Sequence, residues 1–147
     1  MITVIKSPFV QYKLTILRNK KTSNTVFRQT MNEISYLIAS DVLQYVPFKK
    51  QTIETPLKKM SGTALGQPII LVPILRAGLG LLEGFAKFLP EAEKGHIGLY
   101  RDEQTYEPVE YLFKLPRVKN KKVLILDPML ACLLYTSDAA DEVWGVG

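Results

Sequence analysis

Three short segments carry residue types suited to holding a phosphorylated sugar. Asp127-Pro128-Met129-Leu130-Ala131 follows the aliphatic run Val123-Leu124-Ile125-Leu126. An unbroken aliphatic run reads as a strand buried on both faces, and ligands of parallel α/β sheets gather where such strands end. A carboxylate at that point, Asp127, is placed to hold sugar hydroxyls. Leu75-Arg76-Ala77-Gly78 closes a second aliphatic run, which begins at Ile69. A small-residue turn entering a helix points amide N–H groups and the positive dipole end at an anion, and an arginine adds a planar fork for phosphate oxygens. A diphosphate is the ligand this turn would suit. Arg101, in Tyr100-Arg101-Asp102-Glu103, ends the strand His96-Ile97-Gly98-Leu99 and shares the same rim if the sheet is parallel.

Plainer readings stand beside each of these. The glycines do not make a dinucleotide fingerprint, because Glu83 occupies the position of the third. Close helix–sheet packing accounts for Gly80 and Gly84 better than ligand contact does. Taken alone, Arg101 suits a surface ion pair with Asp102 or Glu103. His96, the one histidine, has no partner in sequence and reads as a packed strand residue.

The elements that must position these loops are legible from periodicity. Residues 10–18 and 24–46 read as helices. In the second, Phe27, Met31, Ile34, Ile38, Val42 and Tyr45 fall on one face, as core or subunit-contact surface. Ser23 or Asn24 can cap its start and Pro47 its end. Residues 51–57 alternate around Pro56 and read as an edge strand, with Ser61-Gly62 and Gly66-Gln67-Pro68 as turns. Residues 69–75 form a buried strand in which Pro73 is a tension, since it lacks a donor. A helix with Leu79, Leu82, Phe85 and Leu89 on one side ends at Pro90, and strands follow at 95–100, 109–114 and 122–126. Alternating helices and aliphatic strands predict a single α/β domain with a largely parallel sheet.

With 147 residues, 47% of them hydrophobic and 22% charged, the chain fits one globular domain with a substantial core. Neither a secretory signal nor a run of roughly 20 apolar residues occurs, so no membrane association and a cytoplasmic location are expected. The one cysteine, Cys132, excludes an intrachain disulfide and a cysteine-rich metal site, and no metal-ligating set of side chains is expected. A net charge of +5 suits anionic partners. The bases are scattered in short runs such as Arg18-Asn19-Lys20-Lys21 and Lys119-Asn120-Lys121-Lys122, which favour solvated turns over a nucleic-acid surface.

Pro73-Ile74-Leu75-Arg76-Ala77-Gly78-Leu79-Gly80, Gly95-His96-Ile97-Gly98-Leu99-Tyr100-Arg101-Asp102, Glu107-Pro108-Val109-Glu110-Tyr111 and Asp127-Pro128-Met129-Leu130-Ala131 together resemble the uracil phosphoribosyltransferases, over about residues 7–131 and in the family's order. The resemblance implies a type I phosphoribosyltransferase-like parallel sheet flanked by helices, truncated at the C-terminal side. It implies transfer of phosphoribosyl from 5-phosphoribosyl 1-diphosphate to uracil, giving UMP and pyrophosphate with Mg²⁺. It also implies a homo-oligomer and, in some relatives, activation by GTP. Carried onto this sequence, Arg76, Ala77 and Gly78 bind the donor's diphosphate. Arg101 neutralises charge on the leaving group as a catalytic residue, and Asp127, also catalytic, holds the ribose with Pro128, Met129, Leu130 and Ala131 beside it.

After Ala131 the resemblance breaks. The family continues with Thr-Gly-Gly-Ser, a nest of N–H groups for the 5′-phosphate, where this chain has Cys132-Leu133-Leu134-Tyr135. Residues 132–147 hold no basic residue and the one tryptophan, Trp144, and Cys132 to Glu142 resembles an in-frame translation of a sequencing-library adapter. Residues 1–131 are therefore expected to be the N-terminal part of one domain, residues 132–147 a non-native tail, and the chain an inactive fragment. An RNA-binding pyrimidine regulator on the same scaffold is the alternative, distinguished by a contiguous basic face with stacking aromatics. A purine-base transferase would instead show two adjacent acids where this chain has Asp127-Pro128.

Overall fold

The computed structural model describes residues 2–128 except 103 and 106, with Arg101 described by its backbone. The helices are α1 (Pro8–Arg18), α2 (Asn24–Val42) and α3 (Leu79–Phe88). The strands are β1 (Phe48–Glu54), β2 (Lys59–Leu65), β3 (Ile69–Leu75), β4 (Glu93–Lys94), β5 (His96–Arg101), β6 (Pro108–Lys114) and β7 (Lys122–Leu126). Ser23 caps α2, its hydroxyl accepting from the Val26 amide at 3.4 Å, and a 3-10 turn over Leu43–Tyr45 carries the chain to Pro47.

Strand β3 is the centre of the main sheet. On one side it pairs in parallel with β7, Ile69 opposite Lys122 through Pro73 opposite Leu126. On the other it pairs in parallel first with β4 and then with β5, and β6 runs antiparallel to β5, so the sheet is mixed rather than wholly parallel. This split resolves the tension at Pro73. The Leu71 carbonyl accepts from Gly95, so that side of β3 faces β4 and β5, and residue 73, two positions on, faces the same way. Pairing there covers 70–71 and 74–75, and the proline's missing donor falls in the gap.

The periodicity of α2 and α3 shows in their packing. Ile34, Ala39, Leu81, Phe85 and Leu89 are buried, and most of them join Ile69, Leu71 and Leu126 on one face of the sheet. The ends of the predicted α2 stripe depart from it: Phe27 is exposed, as is Tyr45 at 72%. The opposite sheet face buries Ile70, Val72, Ile74 and Ile97, with Leu115 and Val118 packed on them. Helix α1 lies on α2, tied by a 2.6 Å ion pair between Lys13 and Glu33. The Glu33 carboxyl is held below its ordinary range, chiefly by the Lys13 hydrogen bond and then by Gln29.

Two expectations are corrected. The edge strand expected at 51–57 runs instead over Phe48–Glu54 as one arm of a hairpin, β1 and β2 pairing from Phe48 opposite Leu65 to Glu54 opposite Lys59. Its turn is at Thr55–Lys58, where the Thr55 hydroxyl accepts from Lys58 N at 3.1 Å, while Ser61-Gly62 lies inside β2. Pro56 is the turn former, as its fixed φ favours. Strand β7 is only partly covered, Leu124 and Leu126 joining the core on one face and Val123 packing on the other. It pairs with β3 alone among the described residues, and Ile125 is exposed.

Helices α2 and α3 approach closely at Ser35 and Gly84, and Asn32 Nδ2 also donates to Glu83 Oε2 at 2.8 Å. The buried Ser35 hydroxyl donates to the Leu81 carbonyl and accepts from Gly84 N at 3.1 Å. A Cβ on Gly84 would meet Ser35 Oγ and lie 2.6 Å from the Ser35 carbonyl carbon, a backbone atom that cannot rotate away. Gly84→Ala is therefore expected to destabilise by roughly 1–3 kcal/mol, despite the better helix propensity of alanine. Equilibrium urea unfolding measures this, and an unchanged or raised midpoint would contradict it.

Candidate functional site

Register decides which loops meet. Because β7, β3 and β5 run parallel, their C-terminal ends lie on one edge of the sheet. Asp127 follows Leu126, which is opposite Pro73, and Arg76 leaves β3 three residues after Pro73. The Arg101 backbone ends β5 three residues after Gly98, which is opposite Leu75. At about 4.8 Å between neighbouring strands, β7 and β5 stand roughly 10 Å apart on either side of β3. Asp127 is half-buried, and Arg76, Ala77 and Pro128 are exposed. Met129, Leu130 and Ala131, predicted to complete the ribose loop, lie outside the described residues, as does the tail 132–147.

The Arg76 turn is tightly wound, and its Leu75–Arg76 peptide is cis. Gly78 N donates to the Ile74 carbonyl at 2.8 Å, Leu79 N to Arg76 O at 3.2 Å and Gly80 N to Ala77 O at 3.1 Å. The amides at the start of α3 are thus spent within the turn, and Gly78 is buried. The outward part is Arg76-Ala77, so an anion would meet the guanidinium and the head of the turn rather than the Gly78 amide. Gly80 and Gly84 face α2, a Cβ on the first meeting Met31 and on the second Ser35, which is the packing role expected of them.

The loop after β5 has an organiser that the sequence reading missed. Asp102 Oδ1 accepts from the amides of Gln104 and Thr105, each at 2.8 Å, and Asp102 N donates to Glu107 O at 2.8 Å. The recoverable signal was an acid followed at once by polar residues, the pattern of a side-chain-closed turn. Those amides, Thr105 first and then Gln104, hold the Asp102 carboxyl below its ordinary range. A depressed folded value makes the contribution present above the unfolded pKa and lost as pH falls through the folded one. Acidification below about pH 4 is expected to lower the protection of the Gln104 and Thr105 amides, measured as exchange relative to the unstructured rate at the same pH. Asp102→Asn should remove that pH step; an unchanged step in the variant would contradict the assignment. His96 is half-buried in β5, away from the strand end that carries Arg101.

A cleft of about 400 Å³ runs along β7, walled by Leu14, Leu17, Met31, Ile38 and Leu124 with Asp127 at its margin. Its walls are apolar, so a multiply charged ligand would lie over the rim and not within the cleft. Among the described residues there is no group of three or more His, Cys, Asp or Glu suited to a metal ion, and no helix is long and apolar enough to cross a membrane.

An arginine-bearing turn, a second arginine position and a carboxylate loop thus lie on the C-terminal edge of parallel strands, the edge at which α/β domains hold their ligands. The chain belongs to the uracil phosphoribosyltransferase family, whose pattern it matches over residues 4–141. It is 47% identical to a uracil phosphoribosyltransferase of Levilactobacillus brevis over 87% of its own length and 62% of the relative's. A uracil phosphoribosyltransferase of Fervidobacterium nodosum is 41% identical over the whole of this chain and 72% of that relative. A solved structure of a protein from Aquifex aeolicus superposes with a TM-score of 0.87 at 32% identity, covering 97% of this chain and 70% of the other. The chain thus spans about two thirds or less of the length of several relatives it matches.

Proposed function

We propose that this chain carries the donor-binding part of a uracil phosphoribosyltransferase, which forms UMP and pyrophosphate from uracil and 5-phosphoribosyl 1-diphosphate. The observation that supports this most is the placement of Arg76, the Arg101 backbone and Asp127 on one sheet edge by the register of β3, β5 and β7. In the reaction the bond from the ribose C1 to the diphosphate oxygen breaks and a bond from C1 to uracil N1 forms. Uracil gives up its N1 proton, and pyrophosphate leaves with the bonding electrons.

The protein need form no covalent bond in such a step. Positive charge develops on the ribose and negative charge on the departing diphosphate, so positioning and electrostatics supply the acceleration. Arg76 with Ala77 would grip the diphosphate, Arg101 would meet the charge that grows as it leaves, and Asp127 would hold the ribose hydroxyls. Mg²⁺ fits this rim as an ion carried on the donor's diphosphate. It commonly keeps several waters and takes one or two carboxylates plus substrate phosphates, and Asp127 is the carboxylate placed at the end of β7 on this rim. When bound it would neutralise diphosphate charge. Assembly as a homo-oligomer is supported by the apolar residues exposed on the β1–β2 hairpin, Ile53, Met60 and, at 95%, Leu57.

The test is made on a protein in which the remaining sequence of the Levilactobacillus brevis relative follows Ala131. With donor and Mg²⁺ it should convert labelled uracil to UMP. Conversion of adenine or hypoxanthine in preference to uracil would overturn the assignment.

A further inference from the structure

The two loops that would share one donor molecule come close together at Gly78. Gly78 has φ −61° and ψ −20°, a conformation open to any residue, so backbone freedom does not explain it. Space does. A Cβ there would press on the Leu126 carbonyl oxygen and lie 2.6 Å from Ile74 N and 2.7 Å from Ile74 O. All three are backbone atoms of neighbouring parallel strands, and none can swing aside as a side chain would. Leu126 is the residue immediately before Asp127, and Ile74 lies two residues before Arg76.

We infer that Gly78 is a positioning residue: its missing side chain sets the separation between the Arg76 turn and the Asp127 loop, so that one ligand reaches both. The inference rests on the donor-site reading above. A methyl group at Gly78 must move the end of β7 away from the turn, or the turn away from β7, because interiors packed at native density transmit such a shift. A ligand that spans the two loops should suffer from this, and one that touches the turn alone should not.

Gly78→Ala in the 147-residue chain separates these effects. Inorganic pyrophosphate is the ligand for the turn alone, and 5-phosphoribosyl 1-diphosphate spans both loops. Calorimetric titration should show pyrophosphate affinity within about threefold of wild type and donor affinity lowered on the order of tenfold or more, a difference of about 1.4 kcal/mol. The amide resonances of Leu126 and Asp127 should move further in Gly78→Ala than in Gly80→Ala, where the added Cβ would meet only the Met31 side chain, nearest at 3.2 Å. In the wild-type chain, where stability of the variant is not at issue, saturating pyrophosphate should itself shift the Leu126 and Asp127 amides through the Gly78 contact. Equal weakening of both ligands, or Leu126 and Asp127 shifts no larger than in the Gly80 control, would reduce Gly78 to a packing residue. Should the wild-type chain bind neither ligand, the donor reading fails, and the ligand-free amide comparison still decides whether Gly78 sets the spacing.

Discussion

Arg101→Ala, made in the protein extended beyond Ala131, is expected to lower kcat on the order of 100- to 1,000-fold while the donor KM changes by less than about threefold. The asymmetry follows from when the charge arises. On the proposed reading the Arg76 turn would already grip the diphosphate in the ground state. The additional negative charge belongs to the transition state, and an arginine at the end of β5, the strand beside β3, would meet it there. A group whose interaction strengthens only as the bond breaks affects turnover and leaves ground-state binding nearly alone. Steady-state kinetics over a range of donor concentrations distinguishes this from its opposite: a raised KM with unchanged kcat would make Arg101 a uniform binding residue.

The second large effect is on folding. Phe85 is 2% exposed and sits among Ala39, Ile69, Leu71, Leu81 and Leu126, where α3 meets α2 and the sheet. Phe85→Ala removes most of an aromatic side chain from a site that strands β3 and β7 and helix α2 confine on several sides. Such truncations cost about 3–5 kcal/mol, a large part of the roughly 5–15 kcal/mol that holds an ordinary domain together. The melting temperature of the chain should fall on the order of 10 °C. A fall equivalent to less than about 1 kcal/mol would mean that α3 is not the helix that closes this core. Because α3 begins at the Arg76 turn, the same variant should also weaken pyrophosphate binding once the fold loosens.

What the sequence made legible was set by local signals. The aliphatic runs at 69–75 and 122–126 and the three- and four-residue spacing in α2 and α3 reflect burial, which leaves a direct mark on composition. The hairpin was only half read: the alternation from Gln51 marked one strand, whereas its partner β2, Lys59–Leu65 around Ser61-Gly62, shows no clean apolar alternation. Ser61-Gly62 looked like punctuation, yet its residues lie in the ladder with β1. Strand β6 was read over 109–114, but its antiparallel direction was invisible, since direction is set by pairing and not by composition. In the candidate site, Arg76, Arg101 and Asp127 were marked by their position after aliphatic strands. Gly78's space-limited role was not, because the atom that demands it, the Leu126 carbonyl, lies 48 residues away in sequence.

The most direct measurement of the central claim is a residue-resolved amide titration of the 147-residue chain with inorganic pyrophosphate. Binding at the proposed rim should move the resonances of Arg76 and Ala77 most, with smaller shifts at Gly78, Arg101, Asp102, Leu126 and Asp127, and should saturate. Arg76→Ala should weaken that binding about 10- to 100-fold, as loss of a charge-assisted pair predicts. A saturable titration centred elsewhere, for instance on the basic turn at Arg18 to Lys21 with Arg76 and Ala77 unmoved, would contradict the account.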